Sequence, residues 1–252
     1  MSESLEITDR GPVRQLLMTG VPSRGNPLSV ALIAALHGAI LAAEADPAIR
    51  VIVLAGTERF FSVGADLRDV DKLTATEAVL ANWLDEFDRI ARCAKPIVAA
   101  VRGHAVGGGF ELALTCDMIV AAEDASMSLP ETGIGVIPGQ GGTQRILQLA
   151  GRAIAADLVL TGRVLSGAEA RELGIVARTA PAADVLAAAH EVADAIAARS
   201  EPAVRFAREI LQEASEGHLR QTLRMERLFA SLILDTDERK QRVGEFLKKR
   251  AR

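Results

Sequence analysis

Short apolar runs that end beside glycines constrain the fold of this chain most. Residues 49–55 read Ile-Arg-Val-Ile-Val-Leu-Ala and are followed by Gly56, and the apolar residues 97–101 are closed by Gly103. Residues 118–122 form a third short apolar run, which is followed by the polar residues Glu123 and Asp124 instead of a glycine. Short runs that are rich in β-branched residues and bounded by turn residues are typical of buried strands. We therefore expect a sheet with buried strands.

Helical patterns separate these strands and replace them toward the C-terminus. Two capping boxes, in which a Thr or Ser and a Glu three residues later share hydrogen bonds, begin at Thr74 and Ser166. Beyond about residue 181 no strand pattern appears in the sequence. The sequence therefore predicts an α/β part up to about residue 180, followed by helices alone. The predicted helices span 28–45, 74–92, 144–150, 182–199, 202–215, 218–234 and 237–250. Residues 105–116 begin with three glycines and are expected to turn helical after them. A further strand is predicted at 13–18 and a loop at 130–142.

Composition and charge exclude several classes of protein. The 252 residues are 49% hydrophobic and 25% charged, which is typical of a soluble domain that buries its core without disulfides or metal. The net charge of −4 argues against a nucleic-acid partner, because phosphate contacts need a basic face. The polar start and the lack of a long apolar run lead us to expect a cytoplasmic protein without a secretory signal or a membrane span.

Few side chains are left to carry chemistry. The chain has no tyrosine, its four histidines are scattered, and Cys93 and Cys116 stand alone, so we expect small buried cysteines and no metal site. The glycine-rich residues 139–143 lack the lysine of a phosphate-binding loop. Carboxylates and backbone N–H groups are therefore the main candidates.

Two glycine-containing segments follow predicted strands, at 60–67 and at 103–111. Three consecutive glycines, 107–109, are costly inside a helix but expose the unpaired N–H groups at a helix start, where a negative charge is favoured. Glu111 comes one turn into that helix, and Glu131 precedes the predicted loop. Two carboxyl groups beside an anion-binding N–H pair would form an acid–base site. The pattern alone equally allows a capping Glu111 and an exposed Glu131.

Several linked motifs in register resemble the crotonase (enoyl-CoA hydratase/isomerase) family. The resemblance runs over nearly the whole chain and is carried by Asn26, by the segments 61–67, 107–111, 130–131 and 137–145, and by the closing residues 246–250. It implies an α/β fold in which ββα units form a spiral over residues 1–195. It also implies an all-helical oligomerisation region over 196–252, and a homotrimer or a hexamer made of two trimers.

The resemblance also implies roles for individual residues. The backbone N–H groups of Ala65 and Gly108 would form an oxyanion hole for the thioester carbonyl. Glu111 would activate water, Glu131 would deliver a proton to the α-carbon, and Gly139 would lie near the water. Coenzyme A would enter as part of an acyl-CoA substrate, with no separate cofactor and no metal. Its contacts would be Arg24, Pro27, Leu28, Val63, Asp66 and, for a phosphate, Lys249.

The resemblance predicts hydration of trans-2-enoyl-CoA thioesters to 3-hydroxyacyl-CoA, and it leaves two alternatives open. One is an isomerase that moves a double bond from the 3- to the 2-position with Glu131 as proton shuttle. The other is an acyl-CoA-binding homologue without activity. The chain departs from the family at Pro27, where Ala is common, and at Gln140, where small residues are usual. Residues 83, 84 and 87 are expected either to line the acyl pocket or to pack in the core.

Overall fold

The computed structural model describes residues 5–20, 24–70, 74–81 and 86–250. The chain divides into two compact units, with the boundary between Asp194 and Ala195. The strands are β1 (Leu5–Arg10), β2 (Val13–Met18), β3 (Val51–Ala55), β4 (Phe60–Ser62), β5 (Ile97–Val101), β6 (His104–Val106), β7 (Met118–Ala122), β8 (Ser126–Ser128), β9 (Leu165–Ser166) and β10 (Arg178–Ala180). The α-helices of the first unit begin with α1 (Val30–Ala45), α2 (Leu67–Val70), α3 (Ala75–Ala81), α4 (Glu86–Ala91) and α5 (Gly108–Thr115). They continue with α6 (Gly142–Thr161), α7 (Gly167–Glu172) and α8 (Val185–Ala197), whose last three residues lie beyond the boundary, and the second unit holds α9 (Glu201–Glu216), α10 (Leu219–Leu232) and α11 (Asp237–Arg250).

The larger sheet has six strands in the order β1-β2-β3-β5-β7-β10. Its strands pair in parallel from β2 onward, and β1 pairs antiparallel with β2 at the edge. Every residue of β3 and β5 is buried. This explains why both strands are continuously apolar, since both of their faces are covered. The predicted buried strands are confirmed.

The smaller sheet has the order β4-β6-β8-β9. Each of the strands β3, β5 and β7 of the larger sheet is followed at once by a short strand of the smaller one, and then by helical residues. Repetition of this ββα unit produces the spiral that the resemblance implied. The sequence analysis missed the short strands because two or three residues are too few to show an alternating pattern. It also missed β1, which is mostly exposed and polar.

Several predicted helices differ in extent from those observed. The helix expected at 144–150 is the start of α6, whose two halves meet at Gly151 with a non-helical φ of 78°. The helix expected at 74–92 is described as α3 and α4. Trp83 and Leu84 lie outside the described residues, whereas Phe87 is buried, which favours the core role for that residue.

The capping box at Thr74 is complete, and the one predicted at Ser166 forms one of its two bonds, because the carboxylate of Glu169 accepts from Arg163 instead. The amide of Glu77 donates to Thr74 Oγ1 at 3.2 Å, and the amide of Thr74 donates to Glu77 Oε2 at 2.9 Å. At the start of α7 the amide of Glu169 donates to Ser166 Oγ at 3.1 Å. These side chains satisfy N–H groups that a helix start leaves without partners.

The second unit is helical, as predicted. Phe206 of α9 stacks on Phe229 of α10, with 4.5 Å between the ring centroids. Many large apolar side chains of this unit are exposed in the single chain, among them Leu219, Leu223, Leu228, Leu232, Phe246 and Leu247. Exposed apolar surface of this extent is typical of an interaction surface.

Two smaller expectations have different outcomes. Cys93 is buried as expected, but Cys116 is partly exposed, and its thiol donates to the carbonyl of Leu112 at 3.5 Å. Among the residues described, none of the helices is both long enough and apolar enough to cross a membrane.

Two glycine substitutions should have opposite effects on stability. A Cβ on Gly167 would overlap the backbone oxygen of Ala122, whereas a Cβ on Gly38, in the exposed face of α1, would meet nothing within 4 Å. We expect Gly167→Ala to lower the free energy of unfolding by about 1–3 kcal/mol through overpacking. Gly38→Ala should raise it by about 0.5–1 kcal/mol through helix propensity. Denaturant unfolding of both variants checks this, and a stable Gly167→Ala protein would contradict the close packing of α7 on β7.

Candidate active site

Two backbone amides meet at the start of α5. A Cβ on Gly64, which has a φ of 85°, would lie 2.7 Å from the nitrogen of Gly108, and a Cβ on Gly108 would lie 3.5 Å from the nitrogen of Ala65. The amides of Ala65 and Gly108 have no acceptor among the described residues. Glycine is required at Gly64 both for the positive φ and for the close approach. The result is a pair of neighbouring N–H donors at a helix N-terminus, which suits an oxyanion.

The helix that carries Gly108 is held tightly in place. The amide of Gly107, the N-cap residue, donates to the carbonyl of Ser128 in β8 at 2.9 Å. A Cβ on Gly109 would overlap the backbone of Ser62 in β4. Gly107 and Gly109 therefore allow the start of α5 to pack closely against the smaller sheet.

Glu111 lies in the first turn of α5 and is only 2% exposed. Its Oε1 accepts hydrogen bonds from the amides of Gln140 and Gly142, both at 2.8 Å. A Cβ on Gly142 would lie 2.9 Å from the same oxygen. The alternative of a capping Glu111 is therefore wrong, because the carboxyl group is bound by a distant loop instead of the amides of its own helix.

Arg145 fixes the loop that binds Glu111. Its Nη1 donates to the carbonyl of Gln140 at 2.7 Å, and its own amide donates to the carbonyl of Gly141 at 2.9 Å. Burial raises the pKa of Glu111, and this effect exceeds the opposing effects of the amides of Gly142, Gln140 and Gly139 and of the Arg145 charge. The cradle therefore reduces, but does not cancel, the cost of burying the charged form.

Glu131 opens a short 3-10 helix (Glu131–Ile134) and is half-buried. Its Oε1 lies 3.1 Å from the Cβ position of Gly107, which places the carboxyl group beside the start of α5. Its Oε2 is buried without a partner among the described residues. Burial raises the pKa of Glu131, and the charge of Glu111 raises it further. The alternative of an exposed Glu131 is wrong.

The two carboxyl groups therefore occupy contrasting environments. Amide donors surround Glu111 and favour its ionised form, whereas no such donors reach Glu131 Oε2 within the described residues. Burial raises the pKa of both groups, and the amides of the 139–142 loop oppose this effect at Glu111. Gly139 is exposed, and its amide also contributes to the cradle of Glu111. The sequence analysis assigned no role to Gly142 or Arg145, although the glycine-rich loop was a usable signal.

The structure also joins two of the segments predicted to contact coenzyme A. Residues 24–28 run beside residues 63–66, because the amide of Val63 donates to Gly25 at 3.1 Å and the amide of Leu28 donates to Gly64 at 2.9 Å. Arg24 is exposed, and its positive charge helps to lower the pKa of Asp66. The paired Arg68, whose Nε lies 2.8 Å from Oδ1, lowers the pKa of Asp66 to about 2.

The remaining predicted contacts divide between the two units. Pro27 is partly exposed and lies in the same turn as Leu28. Lys249 belongs to α11 of the second unit, and its side chain lies outside the described atoms. In the part of the chain that the structure describes, no group of three or more His, Cys, Asp or Glu residues could hold a metal ion.

Known proteins are similar to this chain in both sequence and fold. The enoyl-CoA hydratase/isomerase family model matches residues 17–252. The chain belongs to this family, the crotonase family. A probable enoyl-CoA hydratase of Rhizobium meliloti is 39% identical over 248 residues, which cover 98% of this chain and 96% of the relative. The 2,3-dehydroadipyl-CoA hydratase of Escherichia coli is 35% identical, with 94% and 93% covered.

Solved structures of the family agree with this fold. A crystal structure of enoyl-CoA hydratase subunit I from Geobacillus kaustophilus superposes with a TM-score of 0.94 at 34% identity, covering 98% of this chain and 95% of that one. The enoyl-CoA hydratase of Bacillus anthracis superposes with a TM-score of 0.92 at 31% identity, covering 98% and 97%. The crotonase fold predicted from the sequence motifs is confirmed.

The buried carboxyl group of Glu131 should make stability depend on pH. The pKa of Glu131 in the folded protein is raised above the ordinary value of 4.5. The free energy of unfolding therefore falls as the pH rises from 4.5 through the raised pKa. We expect Glu131→Gln to have a higher Tm than the unmodified protein at pH 8, with the difference vanishing toward pH 4.5. Thermal melts across this range measure it.

Glu77→Gln is the matched control with the opposite sign. Hydrogen bonds from Thr74 lower the pKa of Glu77, so its charge stabilises the fold at high pH. This variant should melt below the unmodified protein at pH 8 and approach it in acid. A Glu131→Gln protein that shows the same trend as Glu77→Gln would contradict the environment described for Glu131.

Proposed function

We propose that this protein adds water to trans-2-enoyl-CoA thioesters to form 3-hydroxyacyl-CoA. The observation that carries the proposal is the combination, at one helix start, of two backbone amides without acceptors among the described residues, the buried carboxyl group of Glu111 and the half-buried carboxyl group of Glu131. Hydration needs stabilisation of an enolate oxygen together with two groups that handle protons. The names of the relatives, which are hydratases of enoyl-CoA thioesters, support the same substrate class.

The amides of Ala65 and Gly108 form the oxyanion hole in this proposal. The thioester carbonyl of the substrate accepts both N–H groups, and these bonds strengthen as the carbonyl becomes an enolate. One such donor is worth about 3 kcal/mol in the transition state. Backbone donors keep this role whatever the side chain at position 65, since the N–H group belongs to the chain itself.

Glu111 and Glu131 divide the proton transfers. Glu111 takes a proton from water while the water oxygen bonds to C3 of the enoyl group, and Glu131 gives its proton to C2. Burial raises the pKa of Glu111, and its amide cradle opposes that effect; burial and the nearby negative charge raise the pKa of Glu131, which favours its protonated form. One proton then passes from Glu111 to Glu131 by exchange with solvent, which restores the starting state. Gly139 lies at the exposed side of Glu111, where the attacking water would be held.

Coenzyme A lies along residues 24–28 and 63–66 in this proposal, with Arg24, Pro27, Leu28, Val63 and Asp66 as contacts. The exposed Arg24 supplies positive charge for a phosphate, and Lys249 serves a second phosphate. Coenzyme A belongs to the substrate, so no separate cofactor or metal is required. We also propose a cytoplasmic homotrimer or hexamer, which the exposed apolar side chains of α10 and α11 support.

Removing either carboxyl group should abolish most of the hydration. We expect Glu111→Gln and Glu131→Gln each to reduce kcat with crotonyl-CoA at least about a hundredfold, the low end for general acid–base groups. The loss of enoyl-thioester absorbance measures the rate, and the binding of a saturated acyl-CoA shows whether the site is intact. Glu77→Gln, far along the chain from both glutamates, is the matched control and should keep full activity. Near-normal turnover in a glutamate variant would show that the role given to that residue is wrong.

Double-bond isomerisation is the second candidate, because the unpaired Glu131 could move a proton between carbons without Glu111. A hydratase converts crotonyl-CoA and incorporates one deuterium at C2 in D2O, as mass spectrometry of the product shows. An isomerase converts a 3-enoyl-CoA instead, and its activity should survive in Glu111→Gln. Conversion of the 3-enoyl-CoA alone would overturn the hydratase proposal. Binding of acyl-CoA without conversion of either substrate would favour a non-catalytic homologue.

A further inference from the structure

Asn26 occupies an unusual position just before α1. It is fully buried, with 0% exposure, and its φ is 58°. Among the described residues it is the only one other than glycine with a positive φ. Asparagine tolerates this conformation better than most residues, at a cost of about 1–2 kcal/mol for an ordinary side chain. A buried polar residue in a strained conformation implies that its side chain has a specific partner.

The side chain of Asn26 joins two strands that are remote in sequence. Its Nδ2 donates to the carbonyl of Phe61 in β4 at 2.8 Å and to the carbonyl of Met18, the last residue of β2, at 3.2 Å. Its Oδ1 packs against Gly20, where a Cβ would overlap it. The amide group is thus fixed on one side by the larger sheet and on the other by the smaller sheet.

The backbone beside Asn26 continues the same connection toward the oxyanion hole. The carbonyl of Gly25 accepts from the amide of Val63 at 3.1 Å, and the amide of Leu28 donates to the carbonyl of Gly64 at 2.9 Å. Together with the bond from Asn26 to Phe61, three hydrogen bonds tie residues 25–28 to residues 61–64. The next residue along the chain is Ala65.

The Gly108 half of the hole is held by different contacts. The amide of Gly107 donates to Ser128, and the helix α5 follows directly. Within the described residues, the side chain of Asn26 donates to Met18 and Phe61 and not to Gly107 or Ser128, so the loss of Asn26 should disturb the Ala65 donor first.

We propose that Asn26 is the positioning residue that directs the Ala65 amide at the thioester oxygen of the substrate. The proposal rests on the function proposed above. Asn26 touches neither substrate nor reacting atoms, and it acts through Phe61, Val63 and Gly64. An oxyanion donor contributes fully only when its N–H points at the developing charge, so a small shift of the loop weakens the hole without closing the site.

The test compares Asn26→Gly with the unmodified protein. Glycine accepts the positive φ, so only the side-chain hydrogen bonds are lost, and at about 0.5–1.5 kcal/mol for each bond the variant should fold. We expect kcat with crotonyl-CoA to fall at least about tenfold while KM changes little, because ground-state contacts of coenzyme A remain. A cinnamoyl-CoA with an electron-donating ring substituent reports on the hole directly, since its absorbance shifts to the red when the carbonyl is polarised. The variant should bind this probe with a smaller red shift.

Thr57→Val is the matched control. Thr57 makes two side-chain hydrogen bonds to the backbone of Phe60, each at 3.1 Å, at the other end of the β4 segment. The Thr57→Val variant should lower Tm about as much as Asn26→Gly does, and it should keep the kcat and the red shift of the unmodified protein. If Asn26→Gly does not fold, Asn26→Asp keeps the shape of the side chain without the amide donor and is measured in its place, with the same expectations.

The outcomes separate this proposal from the function on which it rests. A variant with an undiminished red shift, or a Thr57→Val protein with the same loss of red shift, would overturn the role of Asn26 while the hydratase proposal stands. An unmodified protein that shifts the probe but hydrates nothing would overturn the hydratase proposal, and the Asn26 variant would still be judged by its spectrum. An unmodified protein without any red shift would overturn both.

Discussion

The close contact between two glycine-containing backbones is the constraint on which the site depends. Gly64 lies so near Gly108 that a side chain at Gly64 would collide with the backbone nitrogen of Gly108 unless the chain moved. Gly109 presses in the same way on Ser62. These contacts bring the amides of Ala65 and Gly108 together, although the two residues are 43 positions apart in the sequence. The spiral of ββα units makes this contact possible, because consecutive units place β4 and β6 side by side.

The contrasting environments of the two glutamates follow from the same architecture. Glu111 lies on α5 and faces the loop that precedes α6, so the free amides of that loop become its ligands. Glu131 lies on the connection that follows β8 and reaches the start of α5 from another side, where only its own amide donates to the carboxyl group and Oε2 has no partner among the described residues. Each carboxyl group thus takes its protonation preference from a different turn of the spiral. The electrostatic difference is a consequence of topology as much as of residue type.

The sequence predicted what local patterns encode. The apolar runs at 97–101 and 118–122, the capping box at Thr74 and the C-terminal helices are visible within short windows, and all of them are present. The pairing of Glu111 with Glu131 could be proposed because both follow recognisable motifs. Contacts between distant segments left no such pattern. The cradle around Glu111 and the bond of Asn26 to Phe61 join residues 31 and 35 positions apart, and strands of two or three residues carry too little periodicity to be detected.

In the proposed function, the incomplete burial of Glu131 would couple the binding of substrate to the uptake of a proton. In the free protein this carboxyl group is only half-buried, so water still stabilises its charged form. An acyl group that covers it would remove that solvent and raise its pKa further. By thermodynamic linkage, the complex then takes up a proton over the pH range between the two values, and the affinity for the acyl thioester declines as the pH rises through that range. Binding of the substrate would thus favour the protonated form of Glu131, which donates the proton in the proposed reaction.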